Sequence, residues 1–350
     1  MTFRADLRSV FELRPSPPRW RIAVQGAVAI GLPTLGFALA GRPELGLLAS
    51  SGAFLALYLT SRSRRQRARN LPLLAAGFLA ASALGVLASD SAALGLVVLF
   101  VVAAVSAVLC LGFAVGPPGA FFFVLVAGVS GDVTTPAARG GAGVDGWLVL
   151  GMLALGLATA YLIVVAPLAL PRVRAADALV APAPVRFAID ETIRVILIRL
   201  IVASGIAVLV AAPLGLHRAY WVVVAVVAIL QNGHRLRLTF VRGIHRVLGT
   251  FVGLGLFALL QLAHPSGLWV GLLLIVLQFA VEMVVVRNYG LALVFITPLA
   301  LTISAQANSA DVGMIVGDRL LDTVIGAAIA TAVLFAALVL IRRRARRSAA

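Results

Sequence analysis

The chain contains no lysine, because all 29 of its basic residues are arginine. This absence excludes mechanisms that need a lysine side chain, among them Schiff-base chemistry, a P-loop lysine and a serine–lysine dyad. Cysteine is almost as scarce, since Cys110 is the single one and lies inside an apolar run. The sequence therefore predicts neither a disulfide framework nor a cysteine–histidine metal site.

Charged residues are also rare. Only 12% of the 350 residues are charged and 62% are hydrophobic, whereas soluble domains carry about 25% charged residues. We therefore predict an all-α polytopic membrane protein. The net charge of +16 would suggest a nucleic-acid partner in a soluble protein. Here the arginines lie between apolar runs, so they indicate topology and contact with anionic lipid headgroups, without nucleic acid.

The motifs of common enzymes are missing as well. The sequence has no G-x-S-x-G elbow, no H-E-x-x-H pair and no glycine-rich phosphate loop. Its four histidines flank apolar runs and lack the spacing of metal ligands. We predict that the protein is not an enzyme and that it uses no cofactor and no metal.

The chain is rich in apolar runs, of which we predict twelve as membrane helices. With the N-terminus in the cytoplasm, only Arg42, Arg139, Arg218 and Arg319 fall on the outer side, and the other 25 of the 29 arginines fall inside. This asymmetry predicts a multi-pass protein of the cell (inner or plasma) membrane with both termini in the cytoplasm. The runs cover residues 20–40, 44–60, 71–88, 92–112, 116–130, 146–170, 193–212, 219–231, 247–263, 267–286, 289–305 and 319–341.

The two halves of this series resemble each other at an offset of 173 residues. Arg62 and Arg64 correspond to Arg235 and Arg237, and each pair lies between two apolar runs. Six helices per half predict a parallel repeat about a pseudo-twofold axis along the membrane normal. The predicted organisation is a cytoplasmic segment 1–19, a first repeat 20–170, a cytoplasmic linker 171–192, a second repeat 193–341 and a basic cytoplasmic tail 342–350.

Four predicted helices are short and occupy matching places in the two halves: the second, fifth, eighth and eleventh. The eighth has an uninterrupted core that rises only about 17 Å, against a hydrocarbon thickness of about 30 Å. The fifth carries Pro117 and Pro118, and the eleventh carries Pro298. Two interpretations stay open: the short helices line a transport site, or aromatic and arginine side chains at their ends complete full spans.

Two carboxylates fall at membrane depth. Glu282 follows Gln278 by four residues and so shares its helix face. Since an acidic residue in a span costs about 2.5–3.5 kcal/mol, Glu282 is either a proton carrier or substrate contact, or an interfacial carboxylate paired with Arg287 or Arg199. Asp322, near the start of the last predicted helix, either complements the helix dipole or carries a coupling proton.

The most informative segment is 220–253, in which two apolar runs flank a hairpin rich in arginine. Arg246 directly precedes the second run and is followed by Gly249 and Thr250. Gly249 and Gly253 form a small-xxx-small pair, which lets another helix approach closely.

This segment, with Tyr-Trp at its start and RGIHRVLGT from Arg242 to Thr250, resembles the fusaric acid resistance protein family, which includes the bacterial aromatic acid exporters. Residues 286–301 and 318–330 fit the same family. The resemblance covers roughly residues 193–341, and the first half matches only in its helix pattern. Through the Arg-x-x-Gly-Thr element, the chain is also distantly similar to the plant aluminium-activated malate transporters.

The resemblance implies passage of organic anions, with arginines near the cytoplasmic mouth attracting a carboxylate. We predict export of small, aromatic carboxylic acids, with the eighth and eleventh helices lining the path and Glu282 or Asp322 carrying a coupling proton. A non-transporting scaffold of the cell envelope and a passive organic-anion channel are the alternatives, and association into a homo-oligomer stays open. The predicted substrate contacts are Arg235, Arg237, Arg246, Tyr220, Trp221, Tyr289, Thr297 and Gln278.

Overall fold

The computed structural model describes residues 12–213, 219–231, 236–307 and 312–347, and over these residues it is all-helical. The regular elements there are thirteen α-helices and three 3₁₀ segments. The α-helices are α1 (Trp20–Leu39), α2 (Pro43–Ser50), α3 (Arg64–Leu87), α4 (Ala92–Gly112), α5 (Phe121–Thr134), α6 (Gly146–Val165), α7 (Pro171–Ala178), α8 (Glu191–Ala211), α9 (Tyr220–Leu230), α10 (Leu236–Gln261), α11 (Leu268–Val284), α12 (Tyr289–Ala307) and α13 (Val312–Arg347). The 3₁₀ segments are Ser51–Leu57, Ala137–Arg139 and Ala166–Ala169.

Short polar side chains begin several of these helices. Ser63 and Ser91 accept hydrogen bonds from backbone amides in the first turns of α3 and α4, each at 3.3 Å. Asp145 and Asp190 cap α6 and α8 in the same way, at 2.9 and 2.7 Å. Such caps satisfy amide groups that have no partner within the helix.

Seven helices in the described part are long and apolar enough to cross a membrane: α1, α3, α4, α6 with its 3₁₀ extension, α8, α10 and α13. Five shorter apolar helices accompany them: α2 with its 3₁₀ extension, α5, α9, α11 and α12. Outward-facing side chains are apolar, as Leu73, Trp147 and Leu209 show with 73%, 82% and 73% of their surface exposed. The predicted all-α membrane protein is confirmed at this level, and the number of spans and their orientation stay predictions.

Several predicted helix boundaries are wrong. Helix α3 begins at Arg64 rather than at residue 71. Pro117 and Pro118 precede α5 and do not lie within it, because this helix begins at Phe121. A hydropathy pattern ends a helix at its first polar turn, whereas arginine side chains extend to the interface and let the backbone stay helical.

The arginine-rich hairpin is also shorter than predicted. Helix α10 begins at Leu236, so Arg246 lies inside this helix, about 15 Å of rise from its start, and does not precede it. Likewise, Arg319, which the sequence placed at the outer end of the last helix, lies seven residues inside α13. Both arginines therefore lie within helices, where they can face the protein interior.

The same helix pairs pack together in the two halves. In the first half α3 contacts α5 and α6, while α1 contacts α2 and α6. In the second half α10 contacts α12 and α13, while α8 contacts α9 and α13. Between the halves, α1 packs on α11 and α4 on α8, and α5 packs on α9 and α2 on α12. If each helix of one half is replaced by its counterpart in the other half, the α1–α11 contact corresponds to the α4–α8 contact, and the α5–α9 contact corresponds to the α2–α12 contact.

Two short segments form the centre of the molecule. Every residue of α9 is buried, and so are residues 52–59 after α2. Both segments end at the loop before α5: the Tyr58 hydroxyl donates to the Gly119 carbonyl at 2.6 Å. The Gln231 amide donates to the Pro118 carbonyl at 2.8 Å and accepts from the Ala120 amide at 3.0 Å. The centre thus joins both halves around one loop.

Candidate functional site

A cavity of about 160 Å³ lies between the two halves, beside α9. Helices α9 to α13 of the second half form much of its wall. The first half contributes the 3₁₀ segment after α2, the loop before α5 and the start of α5. We call this space the central cavity. Five of the residues predicted from the sequence line it: Arg246, Trp221, Tyr289, Gln278 and Glu282.

One wall of the central cavity is cationic. Arg246 and Arg319 are buried, with 1% and 2% of their surface exposed. The Arg246 guanidinium donates through Nη1 to the Tyr289 hydroxyl at 3.1 Å. Arg242 lies over the Tyr289 ring, with its guanidinium carbon 4.2 Å from the ring centroid, and its Nε donates to the Ala228 carbonyl at 3.0 Å. Tyr289 therefore holds two arginines against α12.

Both buried guanidinium groups keep donors without a hydrogen-bond partner among the residues that the structure describes. These are Nε and Nη2 of Arg246, and Nε and Nη1 of Arg319. A buried cation that lacks partners costs several kcal/mol, and a bound anion would remove that cost. The arrangement is therefore suited to binding an anion between α10 and α13.

The remaining walls are aromatic. The Trp221 ring lies against Arg319, with the guanidinium carbon 3.5 Å from the ring centroid. Phe121 faces Arg246 at 5.8 Å, and Phe54 stacks on Phe122 with centroids 4.1 Å apart. Arginine over an aromatic face is a cation–π contact, and flat rings also stack on other flat rings. The walls therefore suit a flat apolar body beside the two arginines.

The carboxylate of Glu282 closes one end of the central cavity. Its Oε2 lies 3.7 Å from Nη1 of Arg19, so its partner is Arg19 and not Arg287 or Arg199, the two considered from the sequence. The segment before α1 is held at this end as well. The Arg14 amide donates to the Arg287 carbonyl at 3.1 Å, and the Asn288 side chain donates to the Glu12 carbonyl at 3.3 Å.

Three other predicted residues lie outside the lining of the central cavity. Tyr220 faces two further cavities, of about 270 and 190 Å³, next to its neighbour Trp221. Thr297 is fully buried and packs against Gly253. Asp322 is buried in α13, one turn after Arg319. These three side chains thus lie behind the residues that line the central cavity and do not line it themselves.

The two remaining predicted contacts cannot be placed. Arg235 lies outside the described residues, and of Arg237 only the backbone, in α10, is described. As for metals, the described part of the chain holds no group of three or more histidine, cysteine, aspartate or glutamate residues that could bind an ion.

Sequence reasoning missed most of the residues that line the central cavity. It assigned Arg242 to a loop and Arg319 to the outer boundary, and it gave Arg19 no role. The aromatic residues of the first half were also missed, although the Pro-Pro-Gly-Ala-Phe-Phe-Phe run before and in α5 is an unusual string within an apolar region. Residues that line the cavity but were not predicted include Arg19, Arg242, Arg319, Gln231, Phe54, Phe121 and Phe122.

Comparison with known proteins identifies the segment that builds most of this cavity. Residues 205–333 match the family described as fusaric acid resistance protein-like. Over 120 residues the chain is 32% identical to "Uncharacterized membrane protein YvaC" of Bacillus subtilis (strain 168). The matched segment covers 34% of this chain and 19% of that protein. The chain thus spans about a fifth of the length of this relative. No solved structure matches the chain. Residues 205–333, which include Trp221, Arg246, Glu282 and Arg319, are therefore similar to the fusaric acid resistance protein-like family.

Proposed function

We propose that this protein is a transporter that exports small aromatic carboxylic acids across the cell membrane. The observation that carries the proposal is the pair Arg246 and Arg319, buried in one cavity with guanidinium donors left over. A carboxylate offers two planar acceptor oxygens that match the planar donor edge of a guanidinium. An aryl ring attached to it would lie between Trp221 and Phe121.

The charge balance of the central cavity supports an anion over a cation or a neutral molecule. Four arginines line the described part of the wall, against a single carboxylate, Glu282. That carboxylate faces Arg19, and the buried Asp322, outside the lining, offsets part of the charge of Arg319, so the surplus positive charge is greatest at Arg242 and Arg246. In a site of low dielectric constant such a surplus attracts anions strongly.

The position of the cavity supports transport over a scaffold role. A scaffold needs no polar side chains in its interior, whereas this molecule buries several around a central space. Beyond the ring pair of Tyr220 and Trp221, whose centroids are 5.0 Å apart, two more cavities begin. The ring pair therefore lies between successive spaces along α9, as a barrier that a transported acid would pass.

We also propose that the two halves form the parallel repeat expected from the sequence. The matching helix contacts of the halves support this. So does the pair Tyr58 and Gln231, which lie 173 residues apart and bind the same loop from two sides. Under this proposal the anion site belongs to the second half alone. The first-half counterparts of Arg246 and Arg319, 173 residues earlier, are the uncharged Leu73 and Gly146.

Flux measurements on the purified protein in liposomes test the transport proposal. Vesicles loaded with benzoate or phenylacetate should release these acids faster with the protein than without it, and benzamide, which has the same ring but no charge, should show no acceleration. Saturation with rising acid concentration would favour a carrier over the channel alternative. Equal release of all three compounds from protein-containing and protein-free vesicles would refute transport and favour the scaffold.

Proton coupling, if it acts through the cavity, should depend on Glu282. We expect Glu282→Gln to abolish the acceleration of efflux by an imposed pH gradient, because the amide carries no exchangeable acidic proton. Arg19→Gln removes the ion-pair partner but keeps the carboxylate, so pH-driven efflux should persist. Asp322→Asn should also retain it, since Asp322 does not line the cavity. If Asp322→Asn loses pH-driven efflux and Glu282→Gln retains it, Asp322 and not Glu282 carries the proton. If both variants retain pH-driven efflux, neither residue carries it.

A further inference from the structure

A fourth cavity, of about 410 Å³, lies in the first half between α3 and α4. Apolar side chains form nearly all of its lining, and the side chains at its rim face outward. Leu73, Val105 and Leu109 expose 73%, 52% and 47% of their surface. Ser106, a polar residue of the lining, donates its hydroxyl to the Val102 carbonyl of its own helix. The cavity is thus an apolar groove that is open to the surroundings of α3 and α4, which in a membrane are lipid.

The groove corresponds in position to the polar part of the central cavity. Each of four of its residues precedes by 173 positions a residue that lines the central cavity. At these places the second half carries a cation, an amide, a carboxylate and an aliphatic side chain, and the first half carries apolar side chains only. The pairs are Leu73 and Arg246, Val105 and Gln278, Leu109 and Glu282, and Phe123 and Ile296. The first half thus keeps the space but lacks the charges that would bind an anion there.

Positive charge is concentrated at one end of the groove. Arg62 and Asn70 belong to the lining at this end, where Arg62 is held by the carbonyls of Ala183 and Ala114. Arg69 is exposed one helical turn before Leu73, on the same face of α3. Arg186 is exposed next to Val185, which also lines the groove. An apolar slot that ends at several arginines matches a molecule with an apolar chain and an anionic head.

We propose that this groove binds an anionic glycerophospholipid, with one acyl chain between α3 and α4 and the phosphate at Arg69 and Arg62. A bilayer presents that chemistry directly to an outward-facing groove, and arginines attract anionic headgroups. A water-soluble acid is a poorer fit, because the hydroxyl next to Val105, that of Ser106, already donates to the Val102 carbonyl of its own helix. The site is therefore a lipid site, separate from the central cavity.

Photolabelling tests the acyl-chain part of this proposal. The protein is reconstituted with phosphatidylglycerol that carries a diazirine in one acyl chain, and labelled peptides are mapped by mass spectrometry. Val105→Trp fills the groove and should remove most labelling from α3 and α4. Val252→Trp on α10 is the matched control, since Val252 is exposed to a similar extent (55%) and lines none of the four cavities described. Leu109→Trp provides a second blocking variant if the first does not fold. Equal labelling of α3 and α4 in the blocked and control variants would overturn the proposal.

Competition tests the headgroup. Unlabelled phosphatidylglycerol should displace the label at a lower mole fraction than phosphatidylcholine does. Arg69→Gln should reduce this preference about fivefold, as expected for one arginine near the lipid phosphate. Arg174→Gln, at an exposed arginine of α7, should leave it unchanged. Equal competition by the two lipids would show that the groove does not select an anionic headgroup. An equal loss of preference in both variants would show that general positive charge, and not this groove, attracts the lipid.

Discussion

Replacing Arg246 with glutamine is expected to weaken binding of an aromatic carboxylate about ten- to a hundredfold, the loss of one hydrogen bond to a charged group. Arg319→Gln should have an effect of the same size. Both side chains are buried in the central cavity and both have guanidinium donors to give. A carboxylate that spans α10 and α13 would use donors from each, so neither arginine can replace the other.

The measurement is binding of benzoate to the purified protein by calorimetry, with efflux from vesicles as the functional readout. Arg199→Gln is the matched control, because Arg199 is also buried in a helix but lines none of the cavities described above. Arg246→Lys separates charge from shape: it keeps the cation and loses the flat donor edge, so binding should fall between wild type and Arg246→Gln. Full-strength binding in both glutamine variants would place the carboxylate elsewhere.

The helical elements of this fold could be predicted from apolar runs because a membrane leaves the backbone few choices. Every amide and carbonyl in a lipid-facing segment must find its partner within the segment, and a helix is the simplest way to do so. Each of the twelve predicted runs overlaps a helix or a helix with its 3₁₀ extension, although several of the bounds differ. The sequence pattern also revealed the short α9, whose eleven residues are all buried.

The helix boundaries could not be predicted equally well. An arginine ends an apolar run, but it does not end a helix, because its side chain can extend along the helix to a polar partner. Arg246 shows the consequence: its donor contact to Tyr289 depends on α12, which begins 43 residues later in the chain. Without that tertiary contact, the sequence offers no reason to place a cation inside a helix and inside the protein.

The walls of the central cavity were harder still to foresee. Phe54, Phe121 and Phe122 come from the first half and carry no polar atoms, so their residue type alone does not separate them from lipid-facing phenylalanines. The Pro-Pro-Gly-Ala-Phe-Phe-Phe string marks two of the three but does not tell what they face. Their role follows from the packing of α5 on α9 and of α2 on α12, the contacts between halves. A site built where two halves meet is visible only once their packing is known, whereas charged residues such as Glu282 stand out by themselves.

The close approach of α10 and α12 leads to the second large expected effect. A Cβ atom at Gly249 would overlap the Gly290 carbonyl oxygen and lie 2.7 Å from Cβ of Leu293. At Gly253 it would lie 2.7 Å from Cβ of Thr297 and 2.9 Å from the Leu293 carbonyl oxygen. Real Cβ contacts are longer, so the small-xxx-small pair predicted from the sequence is a requirement of this packing.

We therefore expect Gly249→Ala to lower the thermal unfolding midpoint of the detergent-purified protein, with overpacking costing about 1–3 kcal/mol. Gly255→Ala is the control on the same helix, because a Cβ there meets no atom within 4 Å, and alanine stabilises helices relative to glycine. The effect should extend to the central cavity. Arg246 and Tyr289 lie close in sequence to Gly249 and Gly290, so a wider spacing of α10 and α12 would lengthen the contact between the Arg246 guanidinium and the Tyr289 hydroxyl. Benzoate binding should then weaken in Gly249→Ala and stay unchanged in Gly255→Ala, and equal stability and binding in the two variants would show that this contact does not position Arg246.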